Sequence, residues 1–593
     1  MVWAFLNLSG RLPLSILRRW SRGPTRVDSR CMAQRAVRLW SRWSLRRKSA
    51  CVWTRRAMDM RRVFNLSMWH SNRGRIYMIW NWRRFYRLFG VRARRIDLTN
   101  TSCWFKRLCC GGLDIFKGEE KTVNVICVML DSLRADHVGA YGDRARTPNM
   151  DRIARESLVF SKAYSGSFPT LPCRRDLFTG RWGHPFNTWD KMEQNLPTMA
   201  ERFRREGYTT GLIFDTPMFM TQGNFLDRGF GSISWIRGQG GEPWISDALE
   251  EIKWPASEDK VKSGVIRYLA NQRGRLFESD YLGPRVFTEA MHWLERNYVK
   301  DGFFLWIDSW DPHEPWDPPQ YYVDMYDPGY EGDELIYPCY GFSNYMTDEE
   351  LNHVRALYAA EVTMTDRWLG MLWDTMGVLG LKENTVFLLM ADHGHYFGDH
   401  GLQGKPWGDW GQLYDPMVHI PFMVYHPDEA MAGKQVDSLV QPVDVFPTLC
   451  GLAGLDVPDG VQGESFADVL LGKTVQHREF AISGRNLNDS WGTVPATITD
   501  GTWTLVYWPN KDLKYKGPKP IRTERYDCRN MPERRMDELF YMPEDSGQEN
   551  NVIVEHPEEA RRLHRALLEL IEDTETDPEI AKTYQPAPGD QYQ

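Results

Sequence analysis

Three uninterrupted apolar runs, each closing on an aspartate, constrain this chain more than any other feature. VNVICVML leads to Asp131, FFLWID ends at Asp308, and TVFLLMAD ends at Asp392. Runs of β-branched and aromatic residues without polar alternation suit strands buried on both faces, the condition of a parallel sheet. Helical patterns lie between them. LPTMAERFRREGYTT reads as an amphipathic helix closed by Gly207, and TPNMDRIARES offers Thr147 as N-cap with Pro148 at the first helical position. TDEELNHVRALYAAEVTMTDRWLGMLWDTMGVLG opens with a capping box, Thr347 to Glu350, and continues as one long helix. The alternation predicts an α/β fold with a mixed, mostly parallel central sheet flanked by helices. Ligands of such sheets gather outside the strand carboxyl ends, where Asp131 and Asp392 fall.

The pattern changes after about Gln476. PATITDGTWTLVYWP alternates around the turn pair Asp500-Gly501, and PEEARRLHRALLELIED is an amphipathic closing helix. The expected organisation is a catalytic domain over 117–475, a smaller α+β subdomain over 476–577, and a loose polar tail over 578–593. Residues 1–116 differ in kind. They hold 26 Lys+Arg against 4 acids, whereas the remainder holds 47 bases against 75 acids. Half of the ten cysteines and nine of the 25 tryptophans also lie there.

An Arg/Trp-rich arm can meet nucleic acid or an anionic membrane, and an acid-poor start also fits a transit peptide. The reading adopted is a disordered or mis-assigned leader, because ordinary domain sequence begins abruptly near Lys121. Nucleic acid is then not an expected partner. No run reaches the roughly 18 apolar residues that cross a bilayer, and no signal peptide with a cleavage site is visible. Scattered cysteines without CxxC pairs suit buried thiols in a reducing compartment. A cytoplasmic protein without a membrane span is therefore expected, and a homo-oligomer is compatible with the sequence.

Four stretches carry chemistry-bearing residues: DSLRADHVGAYG with Asp131, SFPTLPCRRDLFTGR, DSWDPHEPW with Asp308, Asp311 and His313, and ADHGHYFGDHGLQGKPW. The last gathers Asp392, His393, His395, Asp399, His400 and Lys405 among glycines, an odd composition for turns alone. Aspartates and a histidine at strand ends form an oxygen and nitrogen shell for a divalent metal. Any single aspartate there also reads as a cap.

From Val123 to Ile571 the chain resembles the sulfatase family of the alkaline phosphatase superfamily. The motifs that carry the resemblance are VMLDSLRADHVGAYG, TPNMDRIARES, TLPCRRDLFTGR, DPHEPWDPP, ADHGHYFGDHGLQGK, VDVFPTLCGLAG and ELFYMPEDSGQENN, in the family's order. The resemblance implies an alkaline-phosphatase-like fold and a hydrolase of sulfate or phosphate esters. It implies a divalent ion (Zn, Mn, Ca or Mg) on Asp131, Asp392 and His393. His313 matches a histidine facing the leaving group, and Lys405 an anion-binding lysine. Ser132 stands where many members have a second aspartate. The usual GKWHLG segment is missing, with Asp215 and Thr216 nearby instead. Asp311, His313 and His400 are residue types that could hold a second ion.

The family oxidises the first residue of C/S-x-P-x-R to formylglycine. Aligned on Pro172 and Arg174, this chain has Thr170 there, and Cys173 falls on a variable position. Threonine cannot become formylglycine. It can attack directly as a metal-activated alkoxide at a helix N-terminus, where the dipole favours an anion. A hydroxyl there also reads as an ordinary cap, and the metal cluster favours the nucleophile. Arg174 is expected to clamp a substrate oxygen.

The expected catalytic set is thus Thr170, Arg174, His313, Lys405 and His400, with Asp131, Asp392, His393 and Thr170 on the metal. The expected activity is hydrolysis of a small anionic phosphoester or phosphonate ester. Sulfate-ester hydrolysis without formylglycine is the alternative, and an inactive sulfatase-like binding protein the further one.

Overall fold

The computed structural model describes residues 67–70, 76–79, 122–184, 191–219, 224–246, 249–300, 302–405, 411–485, 495–509, 536–574, 576 and 578–588. Contacts divide the chain into Met1–Lys117 and Gly118–Gln593. In the first unit Ser67–His70 pairs antiparallel with Ile76–Ile79. The other residues of the expected leader lie outside the described residues.

The centre of the second unit is an eight-stranded sheet. Its order is Gln435–Val440, Leu158–Ala163, Phe422–Tyr425, Thr385–Ala391, Asn124–Leu130, Phe303–Ser309, Thr209–Phe214, Ser232–Trp235. Neighbours are parallel except around Phe422–Tyr425, which runs antiparallel to both strands beside it. The four strands that matter for the site are named β1 (Asn124–Leu130), β2 (Thr209–Phe214), β3 (Phe303–Ser309) and β4 (Thr385–Ala391). Every residue of β1, β3 and β4 is buried, which explains their lack of polar alternation. The expected mixed, mostly parallel α/β architecture is what forms.

Helix α1 (Thr170–Thr179) follows the short strand Ser167–Phe168, and α2 (Asp348–Val378) meets β4 where the Trp373 ring packs edge-on against Phe387. The Thr347 capping box is present, with Thr347 Oγ1 accepting from Glu350 N and Glu350 from Thr347 N. Thr147 does precede Pro148–Glu156, but its hydroxyl does not cap that helix. It accepts from Gly139 N at 2.8 Å and donates to Asp151 at 3.3 Å, tying the preceding turn instead.

The C-terminal sheet has five strands: Glu538–Tyr541, Trp503–Tyr507, Ala496–Thr499, Ala481–Arg485 and, at its edge, Ser167–Phe168. That last pairing is parallel, with Gly484 opposite Ser167. The late sheet therefore reaches the strand from which α1 starts. Helix Pro557–Asp573 buries Leu563, Leu567 and Ile571 in one cluster with Ile498, Leu505 and Leu539 of this sheet. The expected loose tail is corrected for its first part. Pro578–Thr583 is helical, and Tyr584 is buried with its carbonyl accepting from His564 Nε2 at 2.7 Å and Tyr507 Oη at 3.1 Å. An aromatic ring and two buried donors anchor it.

Asp444, in the VDVFPTLCGLAG stretch, has a structural role. Its buried carboxylate accepts from Gln441 N and Glu464 N and pairs with the Arg478 guanidinium, Nε at 2.7 Å. Burial alone would raise its pKa; Arg478 and His477 overcome that and hold it at about 2. Because the folded value lies below the ordinary one, the stabilisation is complete above about pH 4 and fades as pH falls through about 2. Arg478→Leu is expected to cost about 2–4 kcal/mol in urea unfolding at neutral pH. The deficit should shrink as pH falls, because the orphaned Asp444 carboxylate, raised by burial once Arg478 is gone, takes a proton in the folded state at a higher pH than the wild-type pair does. A deficit independent of pH would contradict this assignment.

Candidate active site

Strand register brings three carboxylates together. β1 lies between β4 and β3, with Leu130 opposite Ala391 and Met129 opposite Asp308. Asp131, Asp308 and Asp392 therefore emerge side by side at the carboxyl edge of the sheet, all fully buried. One oxygen each of Asp131 and Asp392 and one nitrogen of His393 lie within 4.8 Å of one another. Among the described residues no other group of three such side chains is that close. Asp311, His313 and His400 do not gather into a second centre. Asp311 is spent on Gly283 N at 3.0 Å and Gln239 Nε2 at 3.2 Å, and His400 stacks on the Tyr414 ring with centroids 3.7 Å apart.

Three observations fit a divalent ion at Asp131, Asp392 and His393. Asp131 Oδ2 is buried without a hydrogen-bond partner; Arg174 Nη2 stands 3.1 Å away, outside hydrogen-bond geometry. His393 donates Nδ1–H to Gly394 O at 2.8 Å, so the lone pair of Nε2 is left for the cluster. Burial lowers the His393 pKa to about 4 against the pull of Asp392, which keeps the ring neutral as a ligand must be. Burial, with the Asp392 charge adding to it, also pushes the Asp131 carboxyl well up. Ser132 is not a ligand in place of aspartate. In the left-handed region at φ 63°, it donates its N–H to Asp392 at 3.0 Å and its hydroxyl to Asp131 at 2.8 Å. Asp392→Asn is expected to weaken metal affinity by more than about 100-fold, read as metal per chain by elemental analysis. Unchanged stoichiometry would remove Asp392 from the set.

Thr170 is the first residue of α1, with Pro169 rather than Thr170 in the cap position. Its hydroxyl lies 3.3 Å from His393 Nε2, at the helix N-terminus and beside the carboxylates. Cys173 is buried, and desolvation raises its thiol far above the ordinary value, so it is inert here.

Arg174 departs from expectation. Its Nε and Nη2 donate to Asp308 at 3.0 and 2.7 Å, and Nη1 donates to Asp392 at 2.6 Å and to Thr170 O at 3.1 Å. Every guanidinium nitrogen faces protein oxygen, and four of its five N–H groups are hydrogen-bonded to the protein. Arg174 holds the carboxylates apart and fixes the start of α1. Asp308, which the sequence placed at a strand end in a chemistry-bearing stretch without a role, is its main partner. It also accepts from Thr216 Oγ1 at 2.6 Å, so the segment lacking the Lys-x-His pair serves this carboxylate.

A second group surrounds Glu314. Lys405 Nζ lies 3.4 Å from Glu314 Oε2 and donates to Tyr340 Oη at 3.0 Å; His395 Nδ1 is 3.5 Å from the same carboxylate oxygen. Lys405 is near enough to lower the pKa of both Asp131 and His393, so the two groups form one electrostatic site. His313 donates Nδ1–H to Glu314 O at 2.6 Å, and burial pushes its pKa well down despite the Glu314 charge. A neutral ring of that tautomer carries a lone pair at Nε2. Lys405 is therefore the cation at hand for a leaving oxygen. The sequence missed Glu314, Tyr340 and Lys262; Glu314 lay in a quoted motif, but nothing local signalled its partners.

A family model described as Sulfatase matches residues 123–455. An arylsulfatase of Clostridium perfringens is 26% identical over 400 residues, covering 60% of this chain and 80% of its own length. The phosphonate monoester hydrolase of Agrobacterium radiobacter superposes with a TM-score of 0.58 at 20% identity, over 76% of this chain and 96% of its own. A protein solved with its substrate D-glucosamine-2-N,6-O-disulfate gives 0.58 at 18% identity, over 78% of this chain and all of its own. The two superpositions show the shared fold. Among the described residues no helix is long and apolar enough to cross a membrane.

Proposed function

The chain belongs to the sulfatase family and is an ester hydrolase; from this we propose that Thr170 is the nucleophile and that the substrate is a phosphoester or phosphonate ester. The carrying observation is the Thr170 hydroxyl at 3.3 Å from His393 Nε2, on the first residue of α1, with the nearby thiol of Cys173 buried. A divalent ion held by Asp131, Asp392 and His393, with Thr170 beside it, would lower the hydroxyl pKa and polarise the ester.

The residues of the chain do the rest. The free N–H groups of the first turn of α1 favour negative charge at the Thr170 oxygen. Arg174, bonded to the Thr170 carbonyl, fixes the attacking hydroxyl relative to the carboxylates. Thr170 Oγ1 loses its proton and bonds to phosphorus as the ester oxygen departs, and the positive charge of Lys405 stabilises that oxygen until it takes up the proton released by Thr170. Water then attacks the phosphorus of the threonyl ester, regenerating Thr170 and releasing the acid. The overall reaction is ester plus water to alcohol plus acid.

An unmodified threonine ester has no second hydroxyl through which to expel the bound group, so release needs attack at the central atom. That requirement favours phosphorus as the substrate centre. The test is a panel of aryl sulfate, phosphate monoester, phosphate diester and phosphonate monoester, with metal content measured on the same protein. Turnover confined to the sulfate would replace the phosphoester reading with the sulfatase one. Metal-free protein without turnover would leave the binding-protein reading.

A further inference from the structure

Glu314 and Lys262 have no part in the steps above, yet they are built into the same site. Glu314 is fully buried, with Lys262 Nζ 2.9 Å from Oε1 and Lys405 Nζ 3.4 Å from Oε2. The Tyr340 hydroxyl donates to Oε1, and Lys262 also stands over the Tyr340 ring, 3.1 Å from its centroid. One buried carboxylate thus draws on two ammonium groups. A carboxylate inside an anion site costs desolvation and repels the substrate, so its presence needs a reason.

Charge supplies one. Among the ion-paired groups around the strand ends, the carboxylates of Asp131, Asp308, Asp392 and Glu314 face three cations, Arg174, Lys262 and Lys405; Asp215 at the end of β2 forms no ion pair among the described residues, and burial together with Asp311 pushes its carboxyl well up, toward the neutral form. A divalent ion would leave one net positive charge. A singly charged ester neutralises it, and a dianion overfills it. Without Glu314 the same site would present two positive charges and favour the dianion.

We propose that Glu314 sets the substrate charge, holding half of the Lys262–Lys405 pair in reserve so that the site takes monoanionic esters over dianionic phosphate monoesters. Glu314 acts through Lys405 and touches no reacting atom. The inference rests on the site reading above and adds the substrate's charge to it.

The experiment compares sulfate with methanesulfonate, inert tetrahedral anions that differ by one charge and do not titrate near neutrality. Calorimetric affinities are measured on protein whose divalent ion has been verified by elemental analysis, for wild type, Glu314→Gln and Glu314→Asp. Wild type is expected to bind methanesulfonate at least as tightly as sulfate. Glu314→Gln should move the sulfate-to-methanesulfonate affinity ratio toward sulfate by roughly tenfold, and Glu314→Asp, which keeps the charge, should hold the wild-type ratio. A purely structural role would weaken both anions alike. A ratio unchanged within about twofold in Glu314→Gln, or moved equally by Glu314→Asp, overturns the inference. Should Glu314→Gln not fold, Lys262→Met is expected to move the ratio roughly tenfold the other way, and an unmoved ratio is again fatal. Wild-type protein that binds neither anion overturns the site reading itself, a failure separate from the first.

Discussion

Thr170→Ala is expected to lower kcat/KM on every hydrolysed ester by at least about 10³-fold, with metal content and folding unchanged. The loss should fall on kcat, because the hydroxyl supplies bond formation and little ground-state binding. Thr170→Ser keeps a hydroxyl on the first residue of α1 and should retain activity within about tenfold, the missing methyl costing only orientation. The control is clean because Thr170 is held by its backbone: its carbonyl accepts from Arg174, and that bond survives truncation of the side chain. Full activity in Thr170→Ala would end the nucleophile assignment and leave the hydroxyl as a polar group at a helix start. Equal loss in Thr170→Ser and Thr170→Ala would point instead to packing of the methyl.

Arg174→Leu should be the most damaging single substitution for stability, at about 3–5 kcal/mol, because it strips the cation from Asp131, Asp308 and Asp392 at once. All four side chains are fully buried, so no water replaces the lost bonds. Chemical unfolding of chelator-treated protein reads the effect directly. Arg174→Lys keeps the charge but not the planar fork that reaches Asp308, Asp392 and the Thr170 carbonyl together, and should fall between wild type and Arg174→Leu. Excess divalent ion should partly restore Arg174→Leu, since a dication supplies positive charge to two of the three carboxylates. A loss below about 1 kcal/mol would mean that the carboxylates are compensated without Arg174.

Much of the site was legible because it is locally encoded. Asp131 and Asp392 follow apolar runs whose burial on both faces follows from composition, and strand ends of a parallel sheet point to one edge. His393 adjoins Asp392, and the family resemblance, aligned on Pro172 and Arg174, singles out Thr170. Asp308 satisfied the same rule yet was given no role, since only the order of strands reveals that β3 lies next to β1. His400 lies close in sequence to Asp392, His393 and Lys405, but its left-handed backbone and the Tyr414 ring hold it in a stack.

The sequence by itself determined the α/β class, the strand ends and which aspartates close those strands, because burial period and helix signals act over a few residues. Tertiary structure alone decided how charge is shared. It made Arg174 the counter-ion of three aspartates, and it brought Lys262 to Glu314 and Gly484 to Ser167. The reason is physical: ion pairs depend on the distance between side chains and on the exclusion of water around them, and both are set by elements far apart in the chain.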